Sequence, residues 1–207
     1  PLFVQPKLDG LRMIAMLDTE GKIVLKTRRR HDIAKFDKLR AELQALYDKS
    51  SDKEIILDGE LYAHGMDLQN ISGIVRAETT RDDEKDALQY WLFDCFSVKD
   101  NATYTTLDPF ETRFARLNKF INKRSKQSQL VVNDTVLMQS ETEADTYYQQ
   151  LVDNGYEGVI YKSMGKPYEY SFNKEKRSAW YLKRKQQFDS EFEIVSYTEG
   201  KGKDAGC

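Results

Sequence analysis

The chain has 207 residues, 40% of them hydrophobic and 32% charged, with 32 Lys and Arg against 34 Asp and Glu for a formal net charge of −2. That length suffices for one large domain or two small ones, and the 12% aromatic content is core-forming material that excludes a disordered polyelectrolyte. No apolar run approaches the roughly 18 residues of a membrane span, the opening PLFVQPKLDG lacks the layout of a signal peptide, and Cys95 and Cys207 form neither a disulfide framework nor a metal spacing, so a soluble intracellular protein is expected.

In chain order, residues 11–17 and 22–27 read as two strands joined by the turn Asp18-Thr19-Glu20-Gly21. Residues 33–47 read as a helix, with Phe36, Leu39, Leu43 and Leu46 at helical spacing. Residues 55–62 and 88–96 are strand-like. Asp108-Pro109 reads as a helix start, Asp108 as the cap and Pro109 as the first helical residue, followed by the stripe Phe110, Phe114, Leu117 and Ile121. Residues 130–138 read as one strand. Ser140 and Glu143 form a capping box for a helix that stops near Asn154-Gly155. Strands are expected again over 159–161, 179–184 and 192–197. Strands and helices mix without regular βαβ alternation, which predicts an α+β fold with largely antiparallel sheet.

Charge is unevenly spread. Basic residues gather in Lys26-Thr27-Arg28-Arg29-Arg30, over 119–126 and over 174–185, while acidic residues gather around 48–60 and 82–86. Any one cluster, taken alone, reads as solvated surface.

Five short motifs carry the chemistry. Lys7-Leu8-Asp9-Gly10-Leu11-Arg12 sets a lysine between a short strand and a glycine turn, where it could serve as an amine nucleophile. Leu57-Asp58-Gly59-Glu60-Leu61 is either a hairpin turn or a strand presenting the inward carboxylate Glu60. Tyr90-Trp91-Leu92-Phe93-Asp94 is an aromatic strand, and Glu157-Gly158-Val159-Ile160-Tyr161-Lys162 follows a helix end. In Trp180-Tyr181-Leu182-Lys183-Arg184-Lys185, the two lysines alternate onto one face of a strand. Each motif alone has an ordinary structural reading.

Together and in this order, K-x-D-G-x-R, D-G-E, the F-D strand, E-G-V and K-x-K resemble the motif set of the covalent nucleotidyltransferases, the superfamily of ATP-dependent DNA ligases, RNA ligases and mRNA capping enzymes. LDGEL, EGVIYK and the run from Arg177 to Lys185 are most similar to ATP-dependent DNA ligases. The resemblance implies two largely antiparallel sheets flanked by helices, in an ATP-grasp-like arrangement with the nucleotide in the cleft between them. It implies that Lys7 attacks the α-phosphate of ATP to give lysyl–AMP, with Asp9 and Gly10 shaping the turn that holds it. Only about one free lysine in a few thousand is neutral at pH 7, so such a nucleophile needs cationic neighbours; Lys183, Lys185 and a bound metal are the candidates, and the two lysines would also hold the α-phosphate. Glu157 corresponds to the metal-binding carboxylate, and Glu60 to the ribose or second-metal carboxylate, for Mg²⁺ or Mn²⁺. Phe93 corresponds to the ring that stacks on adenine. Arg12 and Arg28 correspond to arginines that bind the nucleotide or the 5′-phosphate of a nick, and Gln5 to a residue offering backbone groups to adenine. His31, His64 and Cys95 match nothing in the signature and read as structural.

The implied partner is nicked double-stranded DNA, bound by a monomer and not at a membrane, with the basic clusters on the phosphate backbone. The chain opens without Met, and EGKGKDAG near its end resembles the start of an OB-fold domain. A fragment is therefore expected, with residues 1–188 as the nucleotidyltransferase domain and 189–207 beginning a truncated OB-fold domain whose own motif would orient the pyrophosphate. Two other readings stay open: an mRNA capping guanylyltransferase or RNA ligase with the same lysyl–nucleotide chemistry, and a non-catalytic nucleic-acid-binding module.

Overall fold

The structure, a computed structural model, describes residues 1–77, 82–98, 105–106, 108–169, 179–187, 191, 193, 195–200 and 202. In chain order the elements are β1 (Leu2–Lys7), β2 (Leu11–Leu17), β3 (Ile23–Thr27), α1 (Asp37–Lys49), β4 (Ile55–Tyr62), α2 (Leu68–Arg76), α3 (Asp82–Asp86), β5 (Gln89–Ser97) and β6 (Thr105–Thr106). There follow α4 (Phe110–Ile121), β7 (Leu130–Val132), β8 (Val136–Met138), α5 (Glu141–Asp153), β9 (Gly158–Ser163), β10 (Tyr168–Glu169) and β11 (Tyr181–Lys185). Two principal sheets form, a five-stranded one in the order β3-β2-β4-β5-β7 and a four-stranded one in the order β11-β9-β1-β8, with β6 and β10 as a separate short ladder. All pairings are antiparallel except β5 with β7. This is the α+β, two-sheet architecture that the sequence implies.

The five-stranded sheet buries one face against helices. Met13, Ala15, Leu57, Leu61, Tyr90 and Leu92 from the strands pack with Leu39, Leu43 and Tyr47 of α1, Ile71 of α2, and Leu117 and Phe120 of α4. The period-two alternation of the strands sends these residues inward and leaves Arg12, Ile14, Asp58 and Glu60 on the other face. The four-stranded sheet has its own small core, where Val4, Met138 and Val159 meet Ala144 and Leu151 of α5. Val4 and Val159 therefore face α5, and Phe3, Gln5 and Lys7 face the other way.

Several local expectations hold. The turn from β2 to β3 is organised by Asp18, whose Oδ1 accepts the backbone N–H groups of Glu20 at 2.9 Å and Lys22 at 2.8 Å. Ser140 Oγ accepts the Glu143 N–H at 3.2 Å, while Glu143 reaches back to the N–H of Gln139 at 2.9 Å.

Others are corrected. The first helix begins at Asp37 rather than residue 33, because the Ile33 N–H donates to Leu25 O and Lys35 adopts φ 66°. Pro109, with ψ 158°, is itself the residue before the helix, so Asp108 does not cap it; the Asp108 carbonyl instead accepts from Arg113 at 2.6 Å. Asp58-Gly59 is no hairpin turn, since β4 runs through it with a bulge against β5. The single strand expected over 130–138 is two: β7 pairs in the five-stranded sheet, the chain crosses over at 133–135, and β8 pairs with β1 in the other. The helices α2 and α3 were not anticipated, although Asp67 caps α2 by accepting the Asn70 N–H at 2.8 Å. In the strand expected over 192–197, Phe192 and Ile194 lie outside the described residues; residues 195–197 form no strand, and Val195 and Tyr197 are exposed, so no pairing or burial supports one there. The boundary at 188/189 and the basic residues 174–178 also lie outside the described residues.

Candidate active site

Strand register assembles the site. Across the four-stranded sheet, β1, β9 and β11 align in three rungs: Lys7 with Gly158 and Lys185, Gln5 with Ile160 and Lys183, and Phe3 with Lys162 and Tyr181. Directly opposed residues project to the same face. That face is the one turned away from α5, whereas Arg184, between the two lysines, turns towards α5, pairs with Asp145 and lies 4.0 Å over the Tyr148 ring.

Beside the first rung, Glu157, the residue before Gly158, lies between two cations. Its Oε2 accepts from Lys7 Nζ, and its Oε1 is 3.4 Å from Lys185 Nζ. Gly158 makes this approach possible. A β-carbon there would fall 2.1 Å from the Arg184 carbonyl oxygen and 2.8 Å from the Lys185 Cα, and its φ of +151° is rarely adopted by other residues.

The five-stranded sheet supplies the opposite groups. Arg12 and Glu60 are register partners on β2 and β4. Glu60 Oε1 accepts the Gly10 N–H at 2.9 Å, which ties the turn after Lys7 to β4. Gly10 must be small, because a β-carbon would lie 2.4 Å from the Leu61 carbonyl oxygen. Burial pushes the Glu60 carboxyl up to about 7, against the pull of the Gly10 N–H, Lys7 and Arg12. Arg12 is held by fully buried Asp58 through two bonds, Nε at 2.9 Å and Nη2 at 2.5 Å, and its guanidinium lies 5.9 Å from the Phe93 ring centre. Phe93 itself is half-buried.

Behind Phe93 the sheets are joined by polar groups. The Phe93 carbonyl accepts from Gln5 Nε2 at 3.1 Å and Lys162 Nζ at 2.9 Å. Gln5 also donates to Thr135 Oγ1 at 2.8 Å. Asp94 takes Arg113 on both oxygens, at 2.8 and 2.9 Å, and Lys162 at 3.2 Å, while Tyr181 accepts from Arg113. Burial alone would raise the Asp94 carboxyl, but Lys162 and Arg113 hold it below its usual range. Burial also pushes the Lys162 amine down to about 8, against Asp94.

The structure thus brings Lys7, Glu157 and Lys185 together, sets Glu60 beside Lys7, and sets Arg12 beside Phe93. Lys183 is one rung along on the same face and exposed. Asp9 is exposed in the turn after Lys7. The Gln5 side chain is buried and spent on joining the sheets. Arg28 stands apart, exposed beyond the end of edge strand β3 and without an ion-pair partner among the described residues. Sequence reading missed Asp58, Asp94, Arg113, Lys162 and Tyr181. Four of these lie inside quoted motifs, and the D of D-G-E, the D of F-D, the last K of EGVIYK and the Tyr181 of the final run were the available signals. Cys95 is structural, buried with its thiol donating to the Arg113 carbonyl at 3.1 Å. His64 is hydrogen-bonded to the Tyr62 hydroxyl at 2.8 Å, its ring 4.8 Å from that of Tyr156.

Clustered cations with two carboxylates suit a polyphosphate and a hard cation. Among the described residues no three His, Cys, Asp or Glu side chains gather as a metal cage. Mg²⁺ fits such a place, since it takes one or two carboxylates and completes its shell with phosphate oxygens and water.

Residues 1–185 match the family model of the ATP-dependent DNA ligase domain. A DNA ligase of African swine fever virus (isolate Tick/South Africa/Pretoriuskop Pr4/1996) is 33% identical over 205 residues, covering 99% of this chain and 46% of the viral protein. A DNA ligase of the archaeon Methanocorpusculum labreanum is 27% identical over 211 residues, covering 99% of this chain and 36% of that protein. The chain spans less than half the length of these curated relatives. Among solved structures, Pmar-Lig_PreS3 superposes with a TM-score of 0.82 at 20% identity, covering 99% of this chain and 47% of the other. The ATP-dependent DNA ligase from bacteriophage T7 in complex with ATP superposes at 0.71 with 16% identity, covering 89% and 61%. At those identities the superpositions speak for the fold alone. The family model and the motif rungs agree along nearly the whole chain, which belongs to the ATP-dependent DNA ligase domain family.

Proposed function

We propose that this chain is the nucleotidyl-transfer unit of an ATP-dependent DNA ligase that seals nicks in duplex DNA. The observation that carries the reading is the meeting of Lys7 and Lys185 with Glu157 beside the first rung, because a binding module needs neither a nucleophile nor a carboxylate held between two ammonium groups. Lys7 Nζ, once neutral, attacks the α-phosphorus of ATP. A P–N bond forms, the bond from that phosphorus to the bridging oxygen breaks, and pyrophosphate leaves with the electron pair. Glu157, already in hydrogen-bond contact, is the nearest acceptor for the Lys7 proton. Lys185 and Lys183 neutralise charge growing on the non-bridging oxygens. Phe93 offers a face for adenine to stack on, and Arg12 a fork of donors for the nucleotide or the nick phosphate.

Glu157 would hold a divalent ion, Mg²⁺ or Mn²⁺, which supplies Lewis-acid neutralisation of the phosphates when bound, and Glu60 would hold the ribose or a second such ion. AMP then passes to the 5′-phosphate of the nick as the P–N bond breaks, and the 3′-hydroxyl displaces AMP to close the strand. Nicked duplex is the partner and a monomer the acting species, with Lys26 to Arg30 offering phosphate contacts. Residues 1–188 would form the nucleotidyl-transfer domain and 189–207 lead into an OB-fold domain, a division resting on the EGKGKDAG resemblance.

Intact-mass spectrometry after incubation with Mg²⁺ and ATP or GTP tests the reading. One acid-labile AMP adduct from ATP is expected. A GMP adduct in preference would turn the reading to a capping enzyme. No adduct, even with the OB-fold domain supplied, would leave the binding module.

A further inference from the structure

We infer that Lys162 is a positioning residue for the nucleotide base: it fixes Phe93 at the height the stacked base requires relative to the rung bearing Lys7. The inference rests on the ligase reading and deepens it. Lys162 is 3% exposed and touches three elements at once. Its Nζ donates to the Phe93 carbonyl at 2.9 Å and to Asp94 at 3.2 Å, and lies 4.1 Å from the Phe110 ring centre and 5.2 Å from that of Tyr181. Phe93 and Asp94 are on β5 of one sheet; Lys162 is on β9 of the other, in the same strand as Gly158 of the catalytic rung. A single ammonium therefore couples the stacking residue to the strand that aligns Lys7 and Lys185.

A buried cation is a poor stabiliser. Replacing buried ionic groups by apolar ones of similar volume is often neutral. Asp94 would remain paired on both oxygens by Arg113, and the Phe93 carbonyl would retain Gln5, so no bare charge follows from losing Lys162. What a directional donor supplies here, and an apolar side chain cannot, is a fixed separation between the sheets at the place where a base enters. Tyr181 extends the link to β11, since its ring packs on Lys162 and its hydroxyl meets Arg113 and Asp94.

Single-turnover adenylylation over an ATP series with Mg²⁺ separates nucleotide capture from chemistry, in wild type, Lys162→Met and Tyr181→Phe. In Lys162→Met the half-saturating ATP concentration should rise on the order of tenfold, the worth of one charge-assisted hydrogen bond, with the limiting rate within about twofold. Tyr181→Phe should raise it by about two- to threefold, since it keeps the ring on Lys162 and removes only the hydroxyl's contacts with Arg113 and Asp94; it decides the matter if Lys162→Met does not fold. Unchanged half-saturation in the folded variants overturns the inference, and so does a fall confined to the limiting rate, which would set Lys162 in the chemistry. A wild-type chain that takes up no AMP even with the OB-fold domain supplied overturns the ligase reading and this one with it. Labelling of the wild type with unchanged half-saturation in the variants overturns this one alone.

Discussion

Gly158 lies so close beneath Arg184 that a β-carbon on it would fall 2.1 Å from the Arg184 carbonyl oxygen. The glycine of E-G-V is thus a spacing device, and it lets β11 carry Lys185 over Glu157. Gly158→Ala should destabilise the domain by about 2 kcal/mol, within the usual cost of overpacking and backbone strain. Adenylylation should fall further than stability does, because displacing β11 separates Lys185 from Glu157. Urea denaturation beside the labelling rate checks this; a labelling rate equal to wild type would show that the approach of β11 is dispensable.

Lys7→Ala should abolish the covalent adduct and barely alter unfolding. The Lys7–Glu157 pair is partly exposed, with side-chain exposures of 19% and 23%. An ion pair of that kind contributes at most about 1 kcal/mol. Intact mass and a thermal melt on the same sample are the measurements, and a persistent adduct would remove Lys7 as the nucleophile.

Glu60 makes stability depend on pH in a definite sense. Burial raises its carboxyl from 4.5 to about 7, so the folded chain holds a proton there that the unfolded chain releases. This contribution is fully present below about 4.5 and is lost as pH rises through about 7. Glu60→Gln keeps a carbonyl to accept the Gly10 N–H but cannot ionise. The stability of the variant relative to wild type should therefore grow with pH across that window. Paired denaturant titrations at several pH values measure it, and a constant difference would refute the assignment.

Asp94→Ala should be the most damaging of these substitutions. It leaves Arg113, 2% exposed, and Lys162, 3% exposed, as two buried cations without their shared carboxylate. Removing one partner of a buried pair typically costs about 3–5 kcal/mol. Lys162→Met, which leaves Asp94 with Arg113, should cost much less, and chemical denaturation of both variants gives the comparison.

Much of the site was legible in one dimension because its residues sit in short motifs whose local shapes are nearly compulsory. A glycine turn after Lys7, an alternating strand ending in Lys183 and Lys185, and a helix closing just before Glu157 can each be read from a few neighbours. The capping of α5 by Ser140 and the turn built by Asp18 were legible for the same reason: backbone groups find partners within four residues.

What the sequence by itself determined was therefore most of the longer elements and the types of reactive residue, together with the family to which they belong; α2, α3 and the short ladder of β6 and β10 were not among them. Only the tertiary structure decided which of them meet. Lys7 and Glu157 are 150 residues apart in the chain, and their contact depends on the register of β1 on β9. The split of 130–138 into β7 and β8 hangs on which sheet has an open edge, which no local pattern reports. The polar knot of Asp94, Arg113, Lys162 and Tyr181 joins β5, α4, β9 and β11, so each member looks from its own segment like an ordinary surface charge or core aromatic. Long-range register is set by the packing of two sheets and their helices at once, and that is a property of the folded whole.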